Sequence, residues 1–153
     1  MFSFQCEWVG AREGPERSGL ELGHMTFSGP GGECTTRGES RRAMMMGPSL
    51  ATLLGAVEGV LTTRQAGGHF TAVASSFEVF FQRVRHGALE LRGQGRVVGP
   101  VDAAELHAAL VSGLEAFLPR GGQELADDAG REDLLHVLPR FQRLEIAGRR
   151  SRR

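Results

Sequence analysis

Residues Ser75–Val98, SSFEVFFQRVRHGALELRGQGRVV, decide the fold of this 153-residue chain. Three of its nine phenylalanines fall here, at Phe77, Phe80 and Phe81. Phe77, Val79 and Phe81 alternate and belong on one face of a strand, with Glu78 and Gln82 on the other. Phe80 puts a large apolar ring on that second face, so some cover is expected there. His86-Gly87 interrupts the alternation, and Ala88, Leu89 and Leu91 begin a return strand. Gly93 and Gly95 bracket a further turn, after which Arg96-Val97-Val98 reads as a third short strand.

Working outward, the N-terminal stretch has a clean period of two. Phe2, Phe4, Cys6 and Trp8 alternate with Ser3, Gln5 and Glu7, the pattern of a half-buried strand. Gly10–Gly19 reads as a charged loop. A second strand is predicted from Leu20 to Phe27, with a bulge near Gly23-His24 where the apolar parity shifts. Gly29-Pro30-Gly31-Gly32 is the strongest turn signal in the chain. Glu33–Thr36 is predicted as a third strand and Arg37–Arg42 as a solvated linker.

Two helices are expected to cover the strands. Ser49 is the expected N-cap of the first, whose stripe is Leu50, Leu53, Leu54, Val57, Val60 and Leu61. Gly55 and Gly59 in that helix would permit close approach by another element. The second helix is the better marked. Gly99-Pro100 breaks the chain, Asp102 caps, Glu105 sits three residues on, and Val101 and Leu106 form a hydrophobic staple. Pro119 ends it. Gly121–Glu132, with Asp127-Asp128, reads as a loop. Asp133–Leu144 reads as a short third helix that Pro139 kinks or ends.

The expected fold class is therefore α+β: a single antiparallel sheet of about five to six strands, with two main helices on one face. The order is β-β-(β)-α-β-β-(β)-α-(α). Residues 1–147 are expected to form one domain and 148–153, within GRRSRR, a basic disordered tail.

Composition narrows the function classes. Eighteen basic residues balance eighteen acidic ones, so no global field favours nucleic acid or an anionic membrane. Every basic residue apart from histidine is arginine; lysine, tyrosine and asparagine are absent and Ile146 is the single isoleucine. That bias fits a high-GC bacterial gene rather than site-by-site choice. No apolar run is long enough to span a membrane, and MFSFQCEWVG lacks the pattern of a secretory leader. A cytoplasmic protein is expected, with Cys6 and Cys34 reduced unless their strands are neighbours.

No motif carries recognisable chemistry. His24, His69, His86, His107 and His136 lie at no metal-ligand spacing, although folding could bring His24 and His86 together. No phosphate loop or nucleophile elbow appears. Neither a metal nor a cofactor is expected. Met44-Met45-Met46 offers either a soft binding surface or flexible filling for the core, and filling is the preferred reading. Arg83, Arg85, Arg92 and Arg96 would form a basic patch on the hairpin, with Phe80 as a stacking platform. Glu78 and Glu90 on the same strands favour a mixed-charge surface instead, so nucleic acid is not the expected partner.

From SLATLLGAVEGVL through GGHFTAVASSFEVFFQRV to VDAAELHAALVSGLEAFL, the chain resembles uncharacterised small α+β proteins of high-GC actinobacteria. In scale and layout it is also similar to immunity proteins of polymorphic toxin systems. That likeness implies no catalytic or binding residue. The expected function is a non-enzymatic protein-binding module of the immunity or partner-neutralising kind, with self-association as a variant. Its contact surface would be Phe80, Arg83, Arg85, Arg92, Arg96 and Met44–Met46, with the loops Arg37–Met46 and Gly121–Glu132. The alternative is a small-molecule-binding protein or enzyme with a pocket between sheet and helices.

Overall fold

The structure, a computed structural model, describes residues 1–10, 16–63 and 65–146. The expected basic tail, and part of the loop after Gly10, lie outside the described residues. The chain is α+β, with antiparallel sheets and three α-helices among the described residues.

The strands form two four-stranded sheets, which corrects the expectation of one sheet of five to six strands. Sheet one joins β1 (Ser3–Trp8), β2 (Leu22–Gly29) and β3 (Gly32–Thr35), and β4 (Met44–Met45) also pairs with β2. Sheet two is a meander of β5 (Gly67–Thr71), β6 (Glu78–Arg83), β7 (Leu89–Gly93) and β8 (Arg96–Val101). β3 and β8 come together without a strand ladder between them. Instead a side chain joins them. Gln94 Nε2 donates to Thr35 O at 2.7 Å, and Thr35 N donates to Gln94 Oε1 at 3.0 Å. The amide thus imitates a strand's own donor and acceptor. Beside it, Cys34 Sγ donates to Gly93 O at 3.2 Å.

Alternation set the strand faces as the sequence indicated. Phe77, Val79 and Phe81 are buried, and Glu78 and Gln82 are exposed. One inner row of sheet one runs Phe4–Phe27–Cys34 across three strands. One inner row of sheet two runs Phe81–Leu91–Val98. A single apolar cluster contains both rows and the helix stripes.

Two strand expectations change, and one strand is new. The β1–β2 register is unbroken from Ser3↔Ser28 to Trp8↔Gly23, so there is no bulge at Gly23-His24. The parity shift has another cause: Gly23 is where Met46 presses in, and a Cβ there would lie 2.6 Å from Glu7 O and from Met46 Cγ. His69 and its neighbours form a strand, β5, in which only Phe70 is buried, too short an alternation to detect. β8 continues through Gly99-Pro100 to Val101, with a register shift opposite Leu89–Leu91 absorbing the extra residue. Pro at a bulge costs no ladder bond, so the chain does not break there.

α1 spans Met46–Thr62, four residues earlier than a Ser49 cap would place it. Its first-turn donors are met by the preceding loop rather than by a side chain: Met46 N donates to Glu21 O at 3.1 Å and Gly47 N to Gly19 O at 2.7 Å. Pro48 fits the first turn, where its missing N–H has no intrahelical acceptor. Ser49 is buried and accepts from Val73 N at 2.9 Å. Close approach occurs at Gly47, not at Gly55, which has nothing near its Cβ position. A Cβ on Gly47 would lie 2.6 Å from Gly130 O and 2.8 Å from Gly19 O. Three glycines therefore meet where α1, the helix start at Ala129-Gly130 and the loop before β2 converge.

α2 (Ala103–Phe117) begins as predicted, with Asp102 Oδ1 accepting from Glu105 N at 2.7 Å. The Glu105 carboxylate also accepts from Phe2 N at 3.1 Å, tying the first strand to this helix. α3 (Ala129–Gln142) starts four residues before the predicted Asp133. Asp128, expected in a loop, is its N-cap and accepts from Gly130 N and Arg131 N. Its other oxygen accepts from Ser18 Oγ at 2.6 Å. Pro139 does not end the helix, which continues to Gln142. The two main helices do not share one sheet face: α1 lies against β5 and α3, and α2 lies against β1.

Candidate functional site

An open polar recess of about 430 Å³ lies at the junction of the two sheets. β3 contributes Glu33 and Thr35, the segment after it Arg37, Glu39 and Arg42, and the β7–β8 region Gln94 and Arg96. The sequence dictates this placement simply. Cys34 turns inward, so Glu33 and Thr35 face outward. Gln94 and Gly95 form a two-residue loop with φ of 56° and 72°, the left-handed pair that a tight hairpin requires. That loop brings Gln94 to the edge of β3.

The recess has a fixed wall and mixed charge. Gln94 holds Thr35 through two hydrogen bonds, and Thr35 Oγ1 lies 2.6 Å from Thr26 Oγ1. Arg37 Nη1 pairs with Glu7 at 3.2 Å and Arg42 Nε with Glu39 at 3.2 Å. Each pair uses one guanidinium nitrogen and is partly solvated, so neither adds more than about 1 kcal/mol of stability. The Arg96 side chain makes no hydrogen bond or ion pair with any described residue. Its nearest electrostatic influence is on Cys34: burial pushes that thiol up, and the Arg96 charge and the Gly93 hydrogen bond pull partly against it. Burial alone pushes the Cys6 thiol far up. Neither is a nucleophile at neutral pH. β2 separates their strands, and both are free.

The proposed basic patch is dispersed. Arg83 turns inward to the end of α1. Its Nε donates to Gln65 O at 2.9 Å and its Nη2 to Thr63 O at 3.0 Å and to Val60 O. Nothing basic occupies α1's own last turn, so this arginine supplies the positive end-group. Arg85 is exposed in the β6–β7 connection, and Arg96 lies beyond the opposite end of β7. Arg92 is exposed, opposite Phe80 in register, and pairs with Glu90 at 3.2 Å. Phe80 remains 46% exposed. It stacks on His69 at 4.1 Å and 4°, and His69 Nε2 lies 2.7 Å from Glu78 Oε1. Sheet two's outer face is thus mixed in charge, as the preferred reading had it.

Met44 and Met46 are fully buried and Met45 partly so. Met44 and Met46 fill the core and offer no contact surface, which corrects their inclusion in one. In the Gly121–Glu132 segment Leu125 is buried, Glu124 accepts from the Arg120 and Gly122 amides, and Asp128 caps α3.

Two histidines tie elements together. His24 Nδ1 lies 2.8 Å from buried Thr36 Oγ1. His107 Nε2 donates to Phe141 O at 2.8 Å, docking α2 on α3. His86 stands in the β6–β7 connection, away from His24. Among the described residues no group of three His, Cys, Asp or Glu could hold a metal ion. No helix among them is long and apolar enough to cross a membrane.

Sequence reasoning placed Arg96 and the Arg37–Arg42 segment near a surface of interest but missed Glu33, Thr35 and Gln94. The one signal for Gln94 was its position between Gly93 and Gly95. The chain matches no protein-family model, and no curated protein or solved structure is similar to it.

Proposed function

We propose that this chain is a non-enzymatic protein-binding module of the partner-neutralising kind, with the recess between its sheets as the centre of the contact. The mixed-sign lining of the recess, on a wall fixed by Gln94 and Thr35, carries this reading. Two glutamates beside three arginines suit a partner that itself presents both signs, and oppose a polyanion. The alternative, an enzyme or small-molecule binder with a pocket between sheet and helices, is opposed by the apolar packing of α1 against sheet two. Leu50, Leu53, Leu54, Phe70, Val79 and Phe81 are all buried there.

Co-expression with the product of each gene flanking its own, followed by gel filtration, tests the reading. The expected result is a stoichiometric complex that Arg96→Glu or Glu39→Arg weakens. Elution alone with every flanking product, or a complex indifferent to both substitutions, would overturn it.

A further inference from the structure

We infer that the recess takes the carboxylate of an aspartate or glutamate side chain, carried on an extended segment of a partner protein, with Arg96 as its counter-ion. The inference rests on the protein-binding reading and adds the chemistry of the group bound.

Charge sets the first limit. Three arginines line the recess, and Glu7 and Glu39 take two of them, so one guanidinium is on offer, enough for one carboxylate and too little for a phosphate dianion. Arg37 and Arg42 already have carboxylate partners in Glu7 and Glu39, whereas Arg96 has none among the described residues. A free guanidinium offers the two parallel donors that match a carboxylate. The glutamates set the second limit. The Glu33 side chain forms no hydrogen bond or ion pair with any described residue, and Glu39 uses one oxygen on Arg42. Both are acceptors, so the ligand must bring N–H donors next to its carboxylate. A peptide has them on either side of an acidic residue; a free carboxylic acid does not. The wall fixed by Gln94 holds this arrangement before the ligand arrives, which lowers the ordering cost of binding.

The test is a titration of the isotopically labelled full chain, followed by amide chemical shifts. The probes are a capped pentapeptide with Asp at its centre flanked by Gly and Ala, the same peptide with Asn, sodium acetate, and inorganic phosphate. The Asp peptide is expected to move the Thr35 amide and the Gln94 side-chain amide. The Asn peptide and acetate are each expected to bind at least about five-fold more weakly, the loss of roughly one charged contact or amide hydrogen bond. Arg96→Gln is expected to remove the response at Thr35 and Gln94 and leave the other resonances in place. Equal binding of the Asp and Asn peptides, no movement at Thr35 and Gln94, or an unaltered response in Arg96→Gln would overturn the assignment. Acetate or phosphate binding as well as the Asp peptide would overturn it too, in favour of a small-anion site. If a flanking-gene partner binds Arg96→Gln unchanged yet loses affinity on Glu39→Arg, the protein-binding reading stands and this assignment alone falls.

Discussion

Replacing Arg83 separates two roles that the sequence alone left undivided. As part of a basic patch its loss would weaken a partner and leave stability untouched. As the cap of α1 its loss leaves the carbonyls of Val60, Thr63 and Gln65 without their charged donor. A buried hydrogen bond to a charged group contributes about 1.5–3 kcal/mol. The bonds to Thr63 and Gln65 are solvent-exposed and that to Val60 is half-buried, so water replaces much of the loss. The favourable interaction with the helix end adds about 0.3–1 kcal/mol. Together these put Arg83→Met at roughly 2–3 kcal/mol of destabilisation. For a chain of this length that lowers Tm by about 5–10 °C. Arg83→Lys keeps the charge but not the fork of donors, and is expected to restore about half of the loss. Urea denaturation gives the free energies, and amide exchange gives the location: protection should fall first in the last turn of α1. A change in stability of less than about 0.5 kcal/mol for Arg83→Met would refute the capping argument.

Gly47→Ala sets a methyl against two carbonyl oxygens at 2.6 and 2.8 Å, and is expected to cost at least about 2 kcal/mol by urea denaturation, whereas Gly55→Ala, in open space, should stabilise slightly. Asp102→Ala removes the cap of α2 and is expected to cost about 1 kcal/mol; a cost near zero would show that Glu105 and the staple suffice. Both thiols have folded-state pKa values above their ordinary 9.0, so the folded chain holds them neutral. Their contribution is whole below that pH and falls away as pH rises above it. Because the chain has no lysine or tyrosine, nothing else among its side chains titrates between about pH 9 and 12, and the urea midpoint should drop from pH 8.5 to 10.5, less steeply in Cys6→Ala. Gln94→Ala is expected to broaden or shift the Thr35 amide and to cost about 1–2 kcal/mol, with the β6–β7 amides unaffected.

The parts legible in the sequence were those governed by local rules. Period-two alternation found the faces of β1 and β6, helical spacing found the stripes of α1 and α2, and cap chemistry fixed the start of α2 at Asp102. The misplaced features depend on distant chain. α1 begins at Met46 because Glu21 and Gly19 carbonyls receive its first amides, and no residue near Ser49 announces that. Asp128 looked like loop because its helix begins with Ala-Gly-Arg-Glu, a weak apolar pattern until Leu134. One sheet became two because β3 and β8 meet without a ladder and Gln94 bridges them instead, which the composition of neither strand announces. Arg83 has strand parity that points inward, but only the position of α1's end gives that orientation a purpose. The recess was least legible of all, since its walls come from two stretches about 50 residues apart.

The junction at Gln94 also has a mechanical consequence. Within each sheet, adjacent strands are laced by their own main chains; between β3 and the β7–β8 turn the hydrogen bonds are those of one amide group and one thiol. Such a seam yields before the fabric on either side. Under load or denaturant the two leaves should part there first, each keeping its internal lacing, and the same parting would widen or erase the hollow that straddles them. Anything lodged in that hollow would therefore act as a rivet, stiffening the molecule along the line where it is otherwise easiest to open.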